Sequence, residues 1–271
     1  MRHGYVQSAR GTTHYWTNDP RPADTAPCLV FCHGLTADHT LFDMQVAFWE
    51  HRCRILTWDW PLHGDSRPYD DFTFDHVAEE LRTILTAEQI RSIVLVGQSA
   101  GGYIGQAIYQ AFPDDVAGFV GIGTTPFGIS RYYKSSDLFW IRHFAPIASL
   151  FPFWYYRTAA ARAVARTEPA QTNMRESLER LGRKGMLMAS KAVYDEFLRR
   201  EEPVDFRCPV LLTHGQHDKT GFVASYNRAW AADRGYSLQL VPDAAHNANY
   251  DNHQAFNEML AAFLAKAGLV E

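Results

Sequence analysis

Ser92-Ile93-Val94-Leu95-Val96 runs straight into Gly97-Gln98-Ser99-Ala100-Gly101-Gly102, and a helix-like segment from Ala100 to about Phe112 follows without a spacer. A short apolar run rich in β-branched residues reads as a buried strand, and the change to helical spacing immediately after it makes the turn very tight. A serine set in such a turn is held in strained backbone geometry. Glycines are needed at 97 and 101 because side chains there would collide as the chain folds back. The hydroxyl of Ser99 then stands at the carboxyl end of the strand, beside a helix amino terminus whose partial positive charge favours an anion. The stretch matches neither GxxxxGK[ST] nor GxGxxG, so a phosphate-cradling loop does not fit it. Ser99 is the candidate nucleophile.

Outward from this turn, short apolar runs alternate with helical segments. Ala26–Cys32, Arg54–Trp58, Ala117–Gly123, Val210–Thr213 and Leu238–Val241 read as further strands. Helices are expected near Thr40–Arg52, over Phe74–Ala87 with Val77, Leu81, Ile84 and Leu85 on one face, near Val223–Ala232, and from about His253 to Ala265. Asp251 or Asn252 is placed to cap the last of these. Such alternation implies an α/β fold: a mostly parallel central sheet with right-handed crossovers and helices on both faces. Val6–Ser8 and Thr13–Trp16, flanking Gly11, read as a hairpin forming an antiparallel edge. The rhythm breaks between Phe127 and Glu202, a stretch rich in aromatics and then in alanine and arginine. The expected organisation is a core of residues 1–126 and 203–271, with residues 127–202 as a helical cap insertion over the carboxyl edge of the sheet.

A serine hydroxyl needs a base, and the base needs an orienting group. Thr213-His214-Gly215-Gln216-His217-Asp218 leaves one later strand, and Val241-Pro242-Asp243-Ala244-Ala245-His246 leaves the last. Both loops fall at the carboxyl edge, which gives His246 as general base and Asp218 as its acid, in the order Ser, Asp, His. Asp243 is the weaker alternative, since it lies in the turn leaving the strand, where Asp commonly bonds its own backbone. Asp205 precedes its strand and so lies at the wrong end of the sheet. Donors for an oxyanion are expected from the backbone N–H of Ala100 and from the loop Cys32-His33-Gly34-Leu35-Thr36, through the N–H of Leu35. His33 is read as shaping that loop.

The chain has 271 residues, enough for one large α/β domain with an insertion. A net charge of −4 offers no electrostatic footprint for nucleic acid and no polybasic handle for anionic membranes. No run approaches the ~20 apolar residues of a membrane span. Cys28, Cys32, Cys53 and Cys208 form no CxxC pair, and Cys28 and Cys32 would stand roughly 13 Å apart in one strand. Buried thiols in a reducing, cytoplasmic compartment are expected, and no apolar leader opens the sequence. His214 and His217 are three apart, but they lie on a loop leaving a strand and not on one helix face, so no metal site is expected.

Assembled, these residues resemble the α/β-hydrolase superfamily over essentially the whole chain. His33-Gly34, Asp59-Trp60-Pro61-Leu62-His63-Gly64-Asp65-Ser66, Gly97-Gln98-Ser99-Ala100-Gly101-Gly102, His214-Gly215-Gln216-His217-Asp218 and His246 are similar to that family's landmarks and come in its order. The resemblance implies cofactor-free hydrolysis of an ester, lactone, thioester or amide, and the cap looks esterase-like. It also implies a mainly structural Asp59–Ser66 turn, with Asp59 and His63 near the mouth of the site. Dehalogenases and epoxide hydrolases of this fold carry Asp where this chain has Ser99, which disfavours their chemistry. The alternatives that keep the same triad are an aminopeptidase or amidase, a carbon–carbon bond hydrolase and an acyltransferase. A non-catalytic binding protein is a poorer fit, since all three triad residues are present. The substrate is expected to be a small molecule, largely apolar, with Phe127, Trp140 and Trp154 as candidate pocket walls. Arg157, Arg162 and Arg166 are read as a solvated helix face. A homodimer through the cap helices is left open.

Overall fold

The computed structural model describes residues 1–19 and 26–270. Side chains alternate across a strand, so a strand buried on both faces must be apolar at every position. β3 (Cys28–Cys32) reads so throughout; in β4 (Ile55–Asp59) and β5 (Ile93–Gln98) the exceptions are Thr57, Asp59 and Gln98, and all three strands are buried along their full length. In β3, Cys28, Val30 and Cys32 face one layer of helices, while Leu29 and Phe31 face the other. The first layer contains α2 (Phe74–Ala87), α3 (Ala100–Ala111) and, beyond them, α9 (Val223–Arg234). The second is closed by α1 (Asp43–Trp49), through Trp49, and by α11 (His253–Lys266), through Phe256, Leu260 and Leu264.

The sheet is completed by β1 (Arg2–Ser8), β2 (Gly11–Thr17), β6 (Val116–Ile122), β7 (Val210–Gly215) and β8 (Ser237–Val241). Its order is β1-β2-β4-β3-β5-β6-β7-β8. From β4 to β8 all neighbours are parallel, and the β1–β2 hairpin is the expected antiparallel edge. The chain leaves β3 towards β4 and then returns to the other side of β3 as β5. The carboxyl ends of β3 and β5 therefore flank a topological switch point, the place where α/β sheets open a crevice for ligands.

Between β6 and β7 the described chain is helical: α4 (Ile129–Tyr132), α5 (Ser135–Arg142), α6 (Phe144–Ala148), α7 (Phe153–Val164) and α8 (Glu168–Phe197), with a break in α8 at Gly182. These helices have a small core of their own, including Ala148, Ala161, Met174, Leu178 and Met186. The short α10 (Ala248–Asp251) precedes α11. Among the described residues no helix is long and apolar enough to cross a membrane.

Several boundaries differ from the sequence reading by one to four residues, and two of them bear on the site. The helix expected over Thr40–Arg52 begins as a 3-10 turn, His39–Phe42, because the Asp38 carboxylate accepts from the Thr40 N–H at 3.1 Å and fixes the entry. Strand β5 continues through Gly97 and Gln98, which pair with Gly121 and Ile122 of β6. Of the two proposed caps for the last helix, Asn252 is the one that accepts from the Ala255 N–H, at 3.2 Å.

The Asp59–Ser66 turn is structural, as expected, but Asp59 and His63 are fully buried and neither lines the cavity described below. Asp59 accepts from the N–H and ring Nδ1 of His39, at 2.8 and 2.9 Å, and from the Asp65 N–H at 2.8 Å. Burial alone would raise this carboxyl. The His39 hydrogen bond and charge, with the nearby His33 and the Asp65 N–H, outweigh it and hold Asp59 at about 2. A carboxyl lowered in the folded state adds stability that is present above its ordinary value of 3.8 and is lost as pH falls through 3.8 towards 2. Asp59→Asn is expected to lower stability by about 2 kcal/mol at neutral pH and to flatten the acid limb in that window. Denaturant midpoints measured from pH 7 down to 2 check this.

Candidate active site

Ser99 sits at φ 52°, ψ −119°, a left-handed conformation that costs a residue bearing a Cβ roughly 1–3 kcal/mol. The surroundings impose it. The Ser99 N–H donates to the Ile122 carbonyl at 2.8 Å, and the Gly102 N–H donates back to the Ser99 carbonyl at 2.9 Å. The expected glycine requirement is met: a Cβ at Gly97 would stand 2.5 Å from the Gly101 oxygen, and one at Gly101 would stand 1.9 Å from the Cys32 oxygen. No side chain fits at either position, so the elbow closes against the end of β3.

The loops after β7 and β8 are bound to one another through the Gln216 N–H on the Val241 carbonyl and the His217 N–H on the Ala244 carbonyl. This brings the Asp218 Oδ2 within 2.9 Å of His246 Nδ1. With Nδ1–H donating to the carboxylate, Nε2 is left as the acceptor. The Asp218 side chain has no solvent exposure and that of His246 only 6%. Burial would raise the Asp218 carboxyl, but the charge and hydrogen bond of His246 and the Thr220 N–H, at 2.8 Å, hold it below the ordinary carboxylate range. Gly123 lies against the pair, where a Cβ would come 3.0 Å from His246 Nδ1. Asp243, the alternative acid, points to solvent with its carboxylate 84% exposed.

Ser99 and His246 line one cavity of about 820 Å³, together with Leu35, Thr36 and Gln98. Its far wall comes from the helices between β6 and β7. The alpha/beta hydrolase family model matches this chain over residues 29–259, which includes all of these positions. The chain belongs to the alpha/beta hydrolase family. It is 27% identical to a 2-succinyl-6-hydroxy-2,4-cyclohexadiene-1-carboxylate synthase of Enterobacter sp. (strain 638), covering 88% of this chain and 92% of that protein. To a bifunctional esterase/perhydrolase of Acinetobacter calcoaceticus it is 25% identical, covering 96% and 99%. The crystal structure of a hydrolase from Pseudomonas aeruginosa PA01 shares the fold with a TM-score of 0.78 at 22% identity, covering 97% and 98%.

In this alpha/beta hydrolase the expected oxyanion donors lie just beyond the carboxyl ends of the two strands flanking the switch point, Leu35 in the loop after β3 and Ala100 at the start of α3. Ala100 opens α3, so its N–H precedes the helical ladder. Among the described residues the Leu35 N–H has no acceptor either. His33 shapes the loop, with its ring Nδ1 bonded to the Gly34 carbonyl at 2.8 Å and its own carbonyl held by Trp60 Nε1 at 2.9 Å. Burial lowers its pKa.

The three aromatics expected at the pocket wall lie elsewhere. Phe127 is fully buried and packs beside Phe74, Tyr103 and Phe197 in the main core. Trp140 and Trp154 are 60% and 68% exposed and do not line the cavity. Phe144, Phe151, Tyr155, Tyr156 and Tyr194 line it instead. Helical phase decides this: on α7, Tyr155, Tyr156, Ala159, Ala160 and Ala163 share the inward face, and Trp154 falls outside it.

Two residues to which sequence reasoning gave no role in the site, Gln98 of the elbow motif and the candidate helix cap Asp251, hold it together. Gln98 Nε2 donates to the His246 carbonyl at 3.1 Å, while its Oε1 occupies the space a Cβ of Gly34 would need, so one side chain spans both loops. Asp251 accepts from the N–H groups of Arg166 and Thr167 and the Thr167 hydroxyl, and also from the Ala245 N–H beside His246, all within 3.0 Å. The only signal for either was adjacency to a motif. Asp251→Ala is expected to destabilise the fold by about 2–4 kcal/mol, as several N–H groups lose a charged acceptor. A lowered unfolding temperature, with activity falling in parallel, checks this.

Proposed function

We propose that this protein is a serine hydrolase cleaving carboxylic ester, lactone or thioester bonds of a small to medium, largely apolar substrate. Ser99 attacks the carbonyl and His246 takes its proton through Nε2. Asp218 holds the imidazole tautomer and stabilises the imidazolium. The N–H groups of Leu35 and Ala100 stabilise the oxyanion; as it collapses, His246 passes its proton to the departing alcohol or thiol and an acyl-Ser99 remains, from which water activated by His246 releases the acid and restores the Ser99 hydroxyl. Residues 127–202 serve as the cap that walls the substrate in. One observation carries the reading: a strained, cavity-facing serine shares its pocket with an imidazole whose far nitrogen is held by a buried carboxylate at 2.9 Å. The full-length relative named as an esterase/perhydrolase supports it.

A second reading applies the same three residues to a bond other than an ester, and rests on the relative named as a synthase. Labelling by a fluorophosphonate probe separates the two from inertness. The native chain is expected to be labelled and Ser99→Ala unlabelled, while p-nitrophenyl esters are turned over faster than amino-acid anilides. A folded, native chain that resists the probe would overturn the nucleophile assignment.

A further inference from the structure

We propose that the preferred substrate carries a carboxylate on its acyl portion, held at the rim of the cavity by Arg162, Arg166 and Lys219; this rests on the serine-hydrolase reading above. All three residues line the cavity that contains Ser99 and His246, and among the described residues none that lines it is an aspartate or glutamate. Most arginines of the surrounding helices have a carboxylate partner. Arg157 is paired with Glu179, Arg175 with Glu168, Arg180 with Asp38, and Arg200 with Asp75 and Glu196. Among the described residues Arg162, Arg166 and Lys219 have no such pair within 4.0 Å. Arg162 acts on Glu168 only through its charge, and that carboxyl is lowered first by its bond to Arg175 and last by Arg162.

Of the face expected to be solvated, Arg157 is tied to Glu179, while Arg162 and Arg166 are exposed as expected and also line the cavity. Three like charges gathered at one apolar mouth repel one another, and low-dielectric walls focus their field into the opening. An entering anion relieves that repulsion, whereas a neutral substrate does not. The interior complements this. Ala159, Ala160 and Ala163 keep the α7 wall low, and Phe144, Tyr156 and Met174 make it apolar. A linear acyl chain lying along that wall would present its carbonyl to Ser99 and its far end to the cationic rim.

The test compares p-nitrophenyl hemiesters of linear dicarboxylic acids with neutral, methyl-terminated p-nitrophenyl esters of the same length. At low salt the best hemiester is expected to have a kcat/KM roughly tenfold higher than its neutral counterpart, the gain residing in KM, because several exposed pairs of modest strength act together. The preference should shrink as ionic strength rises. In the Arg162→Gln/Arg166→Gln/Lys219→Gln variant the ratio should fall to about one, through a raised KM for the hemiester. Calorimetric binding of monomethyl adipate and of dimethyl adipate to Ser99→Ala reads the same preference without turnover. Equal or weaker use of the hemiester, or a preference that survives in the triple variant, overturns the proposal. If neither ester is hydrolysed, the serine-hydrolase reading fails by itself, and the adipate binding still decides whether the rim selects an anion.

Discussion

Ser99→Ala is expected to reduce kcat on a p-nitrophenyl ester by about 10⁴- to 10⁶-fold, the scale on which removing one member of a triad removes the whole nucleophilic route. No neighbouring hydroxyl can take over. Thr36 lines the cavity, but its Oγ1 bonds the Leu35 carbonyl at 2.6 Å, and Ser99 is the residue set on the elbow in the cavity that His246 also lines. The residual rate should be that of the cavity and the oxyanion donors acting without a nucleophile. The fold should be retained, because alanine meets the same backbone constraint as serine. Ser99→Gly gives a second, independent reading. Glycine takes φ 52°, ψ −119° without a Cβ clash, which removes roughly 1–3 kcal/mol of strain against an entropic cost of roughly 0.5–1 kcal/mol. Ser99→Gly should therefore unfold at a higher temperature than Ser99→Ala, and the reverse order would show that the elbow is not strained.

Asp218→Asn is expected to cost about 10⁴ in kcat with little change in KM. The carboxylate accepts the His246 Nδ1 proton at 2.9 Å and so leaves Nε2 free to receive the serine proton. An amide can turn its NH₂ towards the ring instead, which favours the opposite tautomer, and it cannot stabilise an imidazolium by charge. Because Asp218 is buried and held below the ordinary carboxylate range, it is ionised throughout the working pH range, and the native enzyme should show no loss of activity from its protonation above pH 5. Asp243→Asn is the control. That carboxylate is 84% exposed and reaches His217 Nε2 at 3.9 Å but neither Ser99 nor His246, so its replacement should leave kcat within about twofold. Steady-state kinetics on the two variants, with unfolding curves to confirm that each is folded, separate the assignments.

The parts that could be read without coordinates were those fixed by local chemistry. Strand β5, the elbow and α3 follow from an apolar run, two glycines that admit no side chain, and the switch to helical spacing. Helix α2 matches its expected bounds because its apolar residues recur every three or four positions and Thr73 caps it. The loops of Asp218 and His246 could be placed because each directly leaves a strand, and in a parallel sheet every such loop reaches the same edge. The sequence by itself therefore determined the architecture, the elbow and the order of the three polar residues. Tertiary structure alone decided which side chains meet. Phe127 went into the core while Tyr155 and Tyr156 faced the cavity, and Arg157 found Glu179 while Arg162 and Arg166 remained at the rim. Gln98 and Asp251 became struts between segments far apart in the chain. Composition and periodicity report the environment a residue prefers, whereas the rotation of α7 about its axis is set by its packing against α8.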